Sequence, residues 1–234
     1  MGVKAVKKLA LSIVVLACVF LFSPKPTRAA SELETWCLAV GAAWGPNPNE
    51  CTISGAAAIT TSLTVLQGET IRNRGNFYIE GTIDNEGYID NEGTLVNDNT
   101  INNSSNGTIN NYSDGAINNY GTFNNDNIIN NDGSTINNYN YGTIDNEGFI
   151  FNNSSISNYG IINNEGDIEN DGTINNYCPG IIIGNPPVGN PIVDICFEIF
   201  LPNIGSALGP SEPLTGVGVT NMSNSHLTRC RITL

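Results

Sequence analysis

The residues able to do chemistry here are acids, asparagines, tyrosines and cysteines, and most of them recur at a fixed step of six. Between Ile83 and Tyr177 the phrase Gly-Thr-Ile-Asp/Asn-Asn-x repeats with little variation. Its last position carries one series of acids, Glu86, Asp126, Glu147 and Glu165, with Ser104 among them. Like charges stacked about 5 Å apart raise one another's pKa or attract Ca²⁺, which makes Asp126, Glu147 and Glu165 the calcium candidates. A second series, Tyr120, Tyr139, Tyr159 and Tyr177, can present rings to sugars or stack on itself. Paired acids for glycoside hydrolysis can be drawn from any neighbouring repeats, so they mark no site. Ser-His-Asp catalysis would have only His226, far outside the array. No EF-hand and no glycine-rich nonapeptide is present. No catalytic residue is expected, and no cofactor besides calcium.

These series are positioned by one architecture. Large apolar residues stand at Ile83, Ile89, Leu95, Ile101, Ile109, Ile117, Phe123 and onward to Ile174, and two residues after each comes an asparagine. Two residues before each comes glycine, or Asn99, Asn127, Ser134 or Ser154. A short fixed period marks a solenoid. In a strand, positions −2, 0 and +2 face the same way. Isoleucine belongs inside, so the asparagine goes inside with it or sits at the inner edge of a corner. A lone buried amide is costly, whereas identical amides stacked about 4.8 Å apart can bond in a ladder. The ladder is expected at Asn85, Asn103, Asn125, Asn146 and Asn164, among others. Glycine at −2 implies either positive φ or a crowded backbone.

Three hexads per coil sort the repeats into clean columns: the tyrosines, the acids from Glu86, and a third corner of Arg74, Glu92, Tyr112, Asp132, Asn153 and Asp171. An outward column reads Thr64, Thr82, Thr100, Thr122, Thr143 and then Ile161. The fold class is therefore all-β: a three-sided parallel β-solenoid of about 18 residues per coil, with disulfide-stapled caps. Five to seven coils at roughly 4.8 Å each give about 30 Å.

Residues 1–30 read as a signal peptide. Lys4, Lys7 and Lys8 precede an apolar run from Leu9 to Phe22, and small residues end the segment at Ala29 and Ala30. The run is too short for a comfortable membrane span. Val15-Leu16-Ala17-Cys18 looks like a lipoprotein box, but apolar residues follow it, so ordinary secretion is expected. Of the 9 Lys+Arg, only four arginines lie beyond residue 30, against 22 Asp+Glu, a net −18. So acidic a surface disfavours nucleic acid and anionic membranes. Export makes disulfides the default for the cysteines. Cys37 and Cys51 flank a loop before the array and Cys178 and Cys196 another after it, so these are the economical pairs; Cys230 is left over.

In chain order, residues 31–52 form an N-terminal cap and 53–177 the solenoid. Residues 178–208 form a C-terminal cap and 209–234 a poorly ordered tail. The hexad step extends back through Phe77, Ile71, Val65, Ile59 and Ile53, and the entry coils are dry, with Ile79 where later repeats have asparagine. Asn-x-Ser/Thr sequons occur at Asn102, Asn103, Asn106, Asn111, Asn152, Asn153 and Asn221.

The hexad spacing resembles that of left-handed β-helix acyltransferases, but those rely on a histidine at a coil edge. The threonine column resembles the arrays of solenoid ice-binding proteins, yet here the next outward position is Asp84, Asn102, Asn124 or Asp145. The cysteine-flanked cap with Gly41 and Trp44, followed by Gly-Thr-Ile-Asn-Asn repeats, resembles secreted Asn/Gly-rich β-solenoid surface proteins of archaea and bacteria. The resemblance covers residues 37–196. It implies a non-enzymatic structural or adhesive role at the cell surface or in the extracellular space, contacting glycans, surface proteins or copies of itself. No transmembrane anchor is expected after signal removal. The alternative is a carbohydrate-active β-helix that binds or cleaves polysaccharide.

Overall fold

A computed structural model describes residues 29–45, 47–112, 114–199 and 219–221. The chain divides into two units, Met1–Ser31 and Glu32–Leu234, and the described strands all belong to the second. The signal sequence up to residue 28 lies outside the described residues, as do His226, Cys230 and the tail apart from 219–221.

The second unit is a parallel β-solenoid of about seven turns. Nearly every coil strand is four residues long, and those inside the array pair in parallel with the third strand before and the third after. Thr82–Asn85, for example, lies between Ser62–Val65 and Thr100–Asn103. Three faces result, of nine, eight and seven strands. The first contains Glu50–Ile53, the second Ala56–Ile59 and the third Ser62–Val65. Four-residue strands suffice because the period-2 alternation gives each one two inward residues, Ile and Asn, and two outward ones. From Ile83 to Ile174 the inward apolar residues are at most 3% exposed.

The glycines at −2 are there for crowding. At Gly81, Gly121, Gly148 and Gly172 a β-carbon would land on the backbone of the previous coil, and none of these residues has positive φ. The corners therefore stack backbone on backbone. Where Ser134 replaces glycine, the corner holds an extra residue, Gly133 at φ 74°, and the serine hydroxyl donates to the Asn111 carbonyl.

The entry coils depart from the six-step register. Ala57 pairs with Phe77 and Leu63 with Ile83, while Ile59 and Val65 lie opposite Ile79 and Asn85. Likewise Cys51 pairs with Ile71 and Ile53 with Asn73. Thus Ile53, Ile59 and Val65 occupy the ladder position rather than the isoleucine position. The threonine column begins with Ser62, and Thr64 faces out beside Asp84. The cause is the corner Leu66-Gln67-Gly68-Glu69, which is two residues longer than a plain hexad corner such as Glu86-Gly87. Gly68 has φ 83°, and the buried Glu69 accepts from the Leu66 N–H at 3.0 Å.

Both ends carry the expected staples, Cys37–Cys51 and Cys178–Cys196. At the N-terminal end a helix, Glu32–Ala39, buries Leu33 and Cys37, and Trp36 stands 5.7 Å from the Phe77 ring. Ala43–Trp44 pairs antiparallel with Glu50–Ile53. This edge is thus covered rather than left as an open template. At the other end the strand ladder runs on beyond Tyr177. Ile181–Gly184, Val188–Gly189 and Ile192–Ile195 make one more turn in register. Pro187 and Pro191 stand just before two of these edge strands, where a missing N–H discourages further pairing.

Candidate functional surface

Three asparagine ladders run through the interior, one inside each face. On the third face Asn85, Asn103, Asn125, Asn146 and Asn164 are linked by amide-to-amide bonds of 2.6 to 2.8 Å. On the first face Asn73, Asn91, Asn111, Asn131, Asn152 and Asn170 are linked at 2.7 to 2.9 Å. On the second, Asn97, Asn119, Asn138, Asn158 and Asn176 are linked at 2.7 or 2.8 Å. In every case the earlier coil donates. The second amide hydrogen goes to the first carbonyl of the following strand one coil on, as from Asn97 to Thr122 at 2.9 Å. At the last coil the donors of Asn164 and Asn170 find the carbonyls of Asn185 and Asn190, both at 2.7 Å. A polar group that would be expensive alone is therefore hydrogen-bonded at each level.

Outside, a shorter amide chain runs the opposite way. Asn124 donates to Asn102 and Asn102 to Asp84, where a carboxylate that can only accept ends it.

The tyrosine column forms. Tyr120 and Tyr139 lie 4.3 Å apart at 2°, Tyr139 and Tyr159 6.2 Å apart at 10°, and Tyr159 and Tyr177 4.5 Å apart at 5°. Desolvation first, then the neighbouring tyrosine, raises the Tyr120 phenol above its ordinary value, and the same causes raise Tyr159. Rings stacked this closely cover one another's faces and leave chiefly edges to solvent. The open ring at this corner is Tyr141, 90% exposed, in the insertion after Tyr139.

The acidic column also forms, with Asp126, Glu147 and Glu165 exposed in successive coils. Among the described residues no three Asp, Glu, His or Cys side chains converge as a metal site. The two described cations sit together near the entry. Arg72 pairs with Glu50, Asp90 and Glu92 at 3.3, 3.3 and 3.1 Å, and Arg74 with Glu92 at 2.9 Å.

Burial sorts the sequons. Asn103, Asn111 and Asn152 are ladder residues, at most 1% exposed, with their amides fully engaged. Asn102 is half-buried and bonded to Asp84. Asn106 and Asn153 are exposed at corners.

One feature of the first face was not singled out by the repeat. Strand Phe149–Asn152 turns Phe149 and Phe151 outward, where neighbouring coils carry Thr, Ile, Asn, Asp or Glu. The signal was present as Phe-Ile-Phe-Asn, an apolar run in place of Thr-Ile-Asn-Asn.

No protein-family model, curated protein or solved structure matches this chain. The class defined by the fold is that of a disulfide-stapled, asparagine-laddered parallel β-solenoid.

Proposed function

We propose that this protein is a non-enzymatic structural or adhesive element of the cell surface, secreted and held rigid by its ladders, whose outer faces contact glycans or other surface proteins. The observation that carries this reading is repetition. Acids, tyrosines, threonines and outer amides each recur once per coil, whereas an active site needs unlike groups converging at one place. Two disulfides suit an oxidising, extracellular setting. The acidic balance disfavours nucleic acid and anionic membranes as partners. Calcium at Asp126, Glu147 and Glu165 belongs to the same proposal, as an ion bridging acidic edges.

The test is a polysaccharide binding-and-turnover screen on purified residues 31–234, with and without Ca²⁺. Binding without turnover is expected. Release of reducing or unsaturated ends would replace this reading with a carbohydrate-active β-helix.

A further inference from the structure

We infer that the surface around Arg72 in the entry coils, with the unstacked rings of Tyr88 and Tyr112 beside it, is a binding site for neutral, hydroxyl-rich sugar chains. This rests on the glycan-contact reading above and gives that contact one place, on the first face.

Unlike side chains converge here, where other columns repeat one residue type. Glu50, Thr70, Tyr88 and Thr108 follow one another in one outer column of the face, and Thr52, Arg72, Asp90 and Asn110 in the next. The adjoining corner carries Arg74, Glu92, Tyr112 and Asp132. Arg72 is the hub. It faces Glu50 at 3.3 Å, donates from Nη1 to Glu92 at 3.1 Å, and donates from Nη2 to Asp90 at 3.3 Å. Asp90 also accepts from Asn110 at 2.8 Å. The side chains of Glu50 and Asp90 are only 10% and 13% exposed, whereas Arg72 keeps 28% of its own in solvent. The network is fixed from below and reachable from above. Each Nη of Arg72 retains a second hydrogen, so donors and carboxylate oxygens stand side by side.

The two rings differ from the stacked tyrosines. In an in-register column a ring is covered when the next coil supplies another, as Tyr139 does for Tyr120. Tyr88 has Thr70 before it and Thr108 after it, side chains too short to cover a phenol, and it is 48% exposed. Tyr112 has Glu92 and Asp132 as its corner neighbours and is 39% exposed. Among the described residues neither ring stacks on another. Burial first, then the Asp90 charge, raises the Tyr112 phenol above its ordinary value, so its hydroxyl stays a donor beside the same carboxylates.

A pyranose matches both halves of this surface. Its apolar face lies on an open phenol ring. Its hydroxyls, each donor and acceptor at once, bridge a guanidinium hydrogen and the carboxylate oxygen next to it. Because the ion pairs already hold these groups in place, little ordering is left to be done on binding. A uronate fits badly. Glu50, Asp90 and Glu92 outnumber Arg72 and Arg74, Asp132 adds charge at the corner, and Arg72 is held by three acids and cannot turn to clamp an anion.

The repeat supplies a substitution that spares the fold. Tyr88→Thr gives this position the residue found at Thr70 and Thr108 on either side, and the inward Ile89 and Asn91 are untouched. Titration calorimetry of the full chain with cellohexaose, mannohexaose and hexagalacturonate tests the assignment. Binding of at least one neutral hexamer, and not of the uronate, is expected. Tyr88→Thr should weaken it roughly tenfold with an unchanged unfolding midpoint, and Tyr112→Asn roughly threefold. Neutral-sugar binding that both variants leave unchanged would overturn this site while the glycan reading stands. Uronate binding as tight as that of the neutral sugars would overturn the charge argument and the proposal with it. Absence of binding to any of the three would remove the glycan reading together with the site.

Discussion

Asn125 donates its amide to the Asn146 oxygen one coil away at 2.6 Å, while its own oxygen accepts from Asn103 at 2.7 Å. Each ladder residue is thus donor and acceptor at once, and only a carboxamide fits that double role in so short a side chain. Asn125→Asp keeps the acceptor but sets a carboxylate against the Asn146 oxygen and the Phe149 carbonyl. The expected loss is about 3–5 kcal/mol at neutral pH, as for a buried charge without a partner. It should shrink on acidification, because protonation restores a donor. Asn125→Leu strands both neighbours and should cost about 2–4 kcal/mol. Urea unfolding at pH 7 and pH 4 measures both. An Asp variant as stable as the parent at pH 7 would show that Asn125 is not donating.

Two glycines should respond to alanine for different reasons. At Gly41, φ is 74° and nothing lies within 4 Å of an added β-carbon, so the cost is backbone strain of about 1–2 kcal/mol. At Gly121 the added carbon falls on the Asn99 backbone. Relief there requires two coils to separate, so Gly121→Ala should cost more than about 3 kcal/mol, beyond ordinary overpacking. Comparing denaturation midpoints settles the order, and a Gly41 variant that proved the weaker of the two would contradict the crowding account.

The pH profile of stability should be flat in the middle and fall at both ends. Glu50 is held below its ordinary 4.5 by the Asn47 amide at 2.8 Å, which outweighs desolvation, and by Arg72. A depressed folded pKa gives stability that is present above 4.5 and lost as pH falls through the folded value. Tyr120 and Tyr159 are raised above 10.0 by desolvation and their partners. Their stabilisation is complete below pH 10 and lost as pH rises past it. Melting temperature followed across pH should show both limbs, and Glu50→Gln should flatten the acid one. Hydrogen exchange at low pH should open the Glu50–Ile53 strand before the ladders, whose amides do not titrate.

Much of this protein was legible because the repeat is short and chemically strict. An isoleucine every sixth residue with an asparagine two later leaves a three-sided coil with inward amides. The +3 positions alone placed Tyr120 over Tyr139, and Glu147 over Glu165. The cysteine pairs followed from their places at the two ends of the array. What repeats was readable, because each coil restates the same local rule.

What the tertiary structure decided is where the rule slips. A two-residue insertion at Gln67-Gly68 moves Leu63, not Val65, opposite Ile83. The slip is silent in the sequence, because inward positions alternate by two and both residues are apolar. The reason for glycine at −2 was equally hidden. Positive φ and crowding predict the same residue, and only the neighbouring coil's carbonyl, some twenty residues away along the chain, tells them apart. The surroundings of Phe149 and Phe151 also needed the faces to be assembled, since only the coils before and after set Ile128, Asn130, Asp167 and Glu169 beside them. Local chemistry is written along the chain; proximity between coils is not.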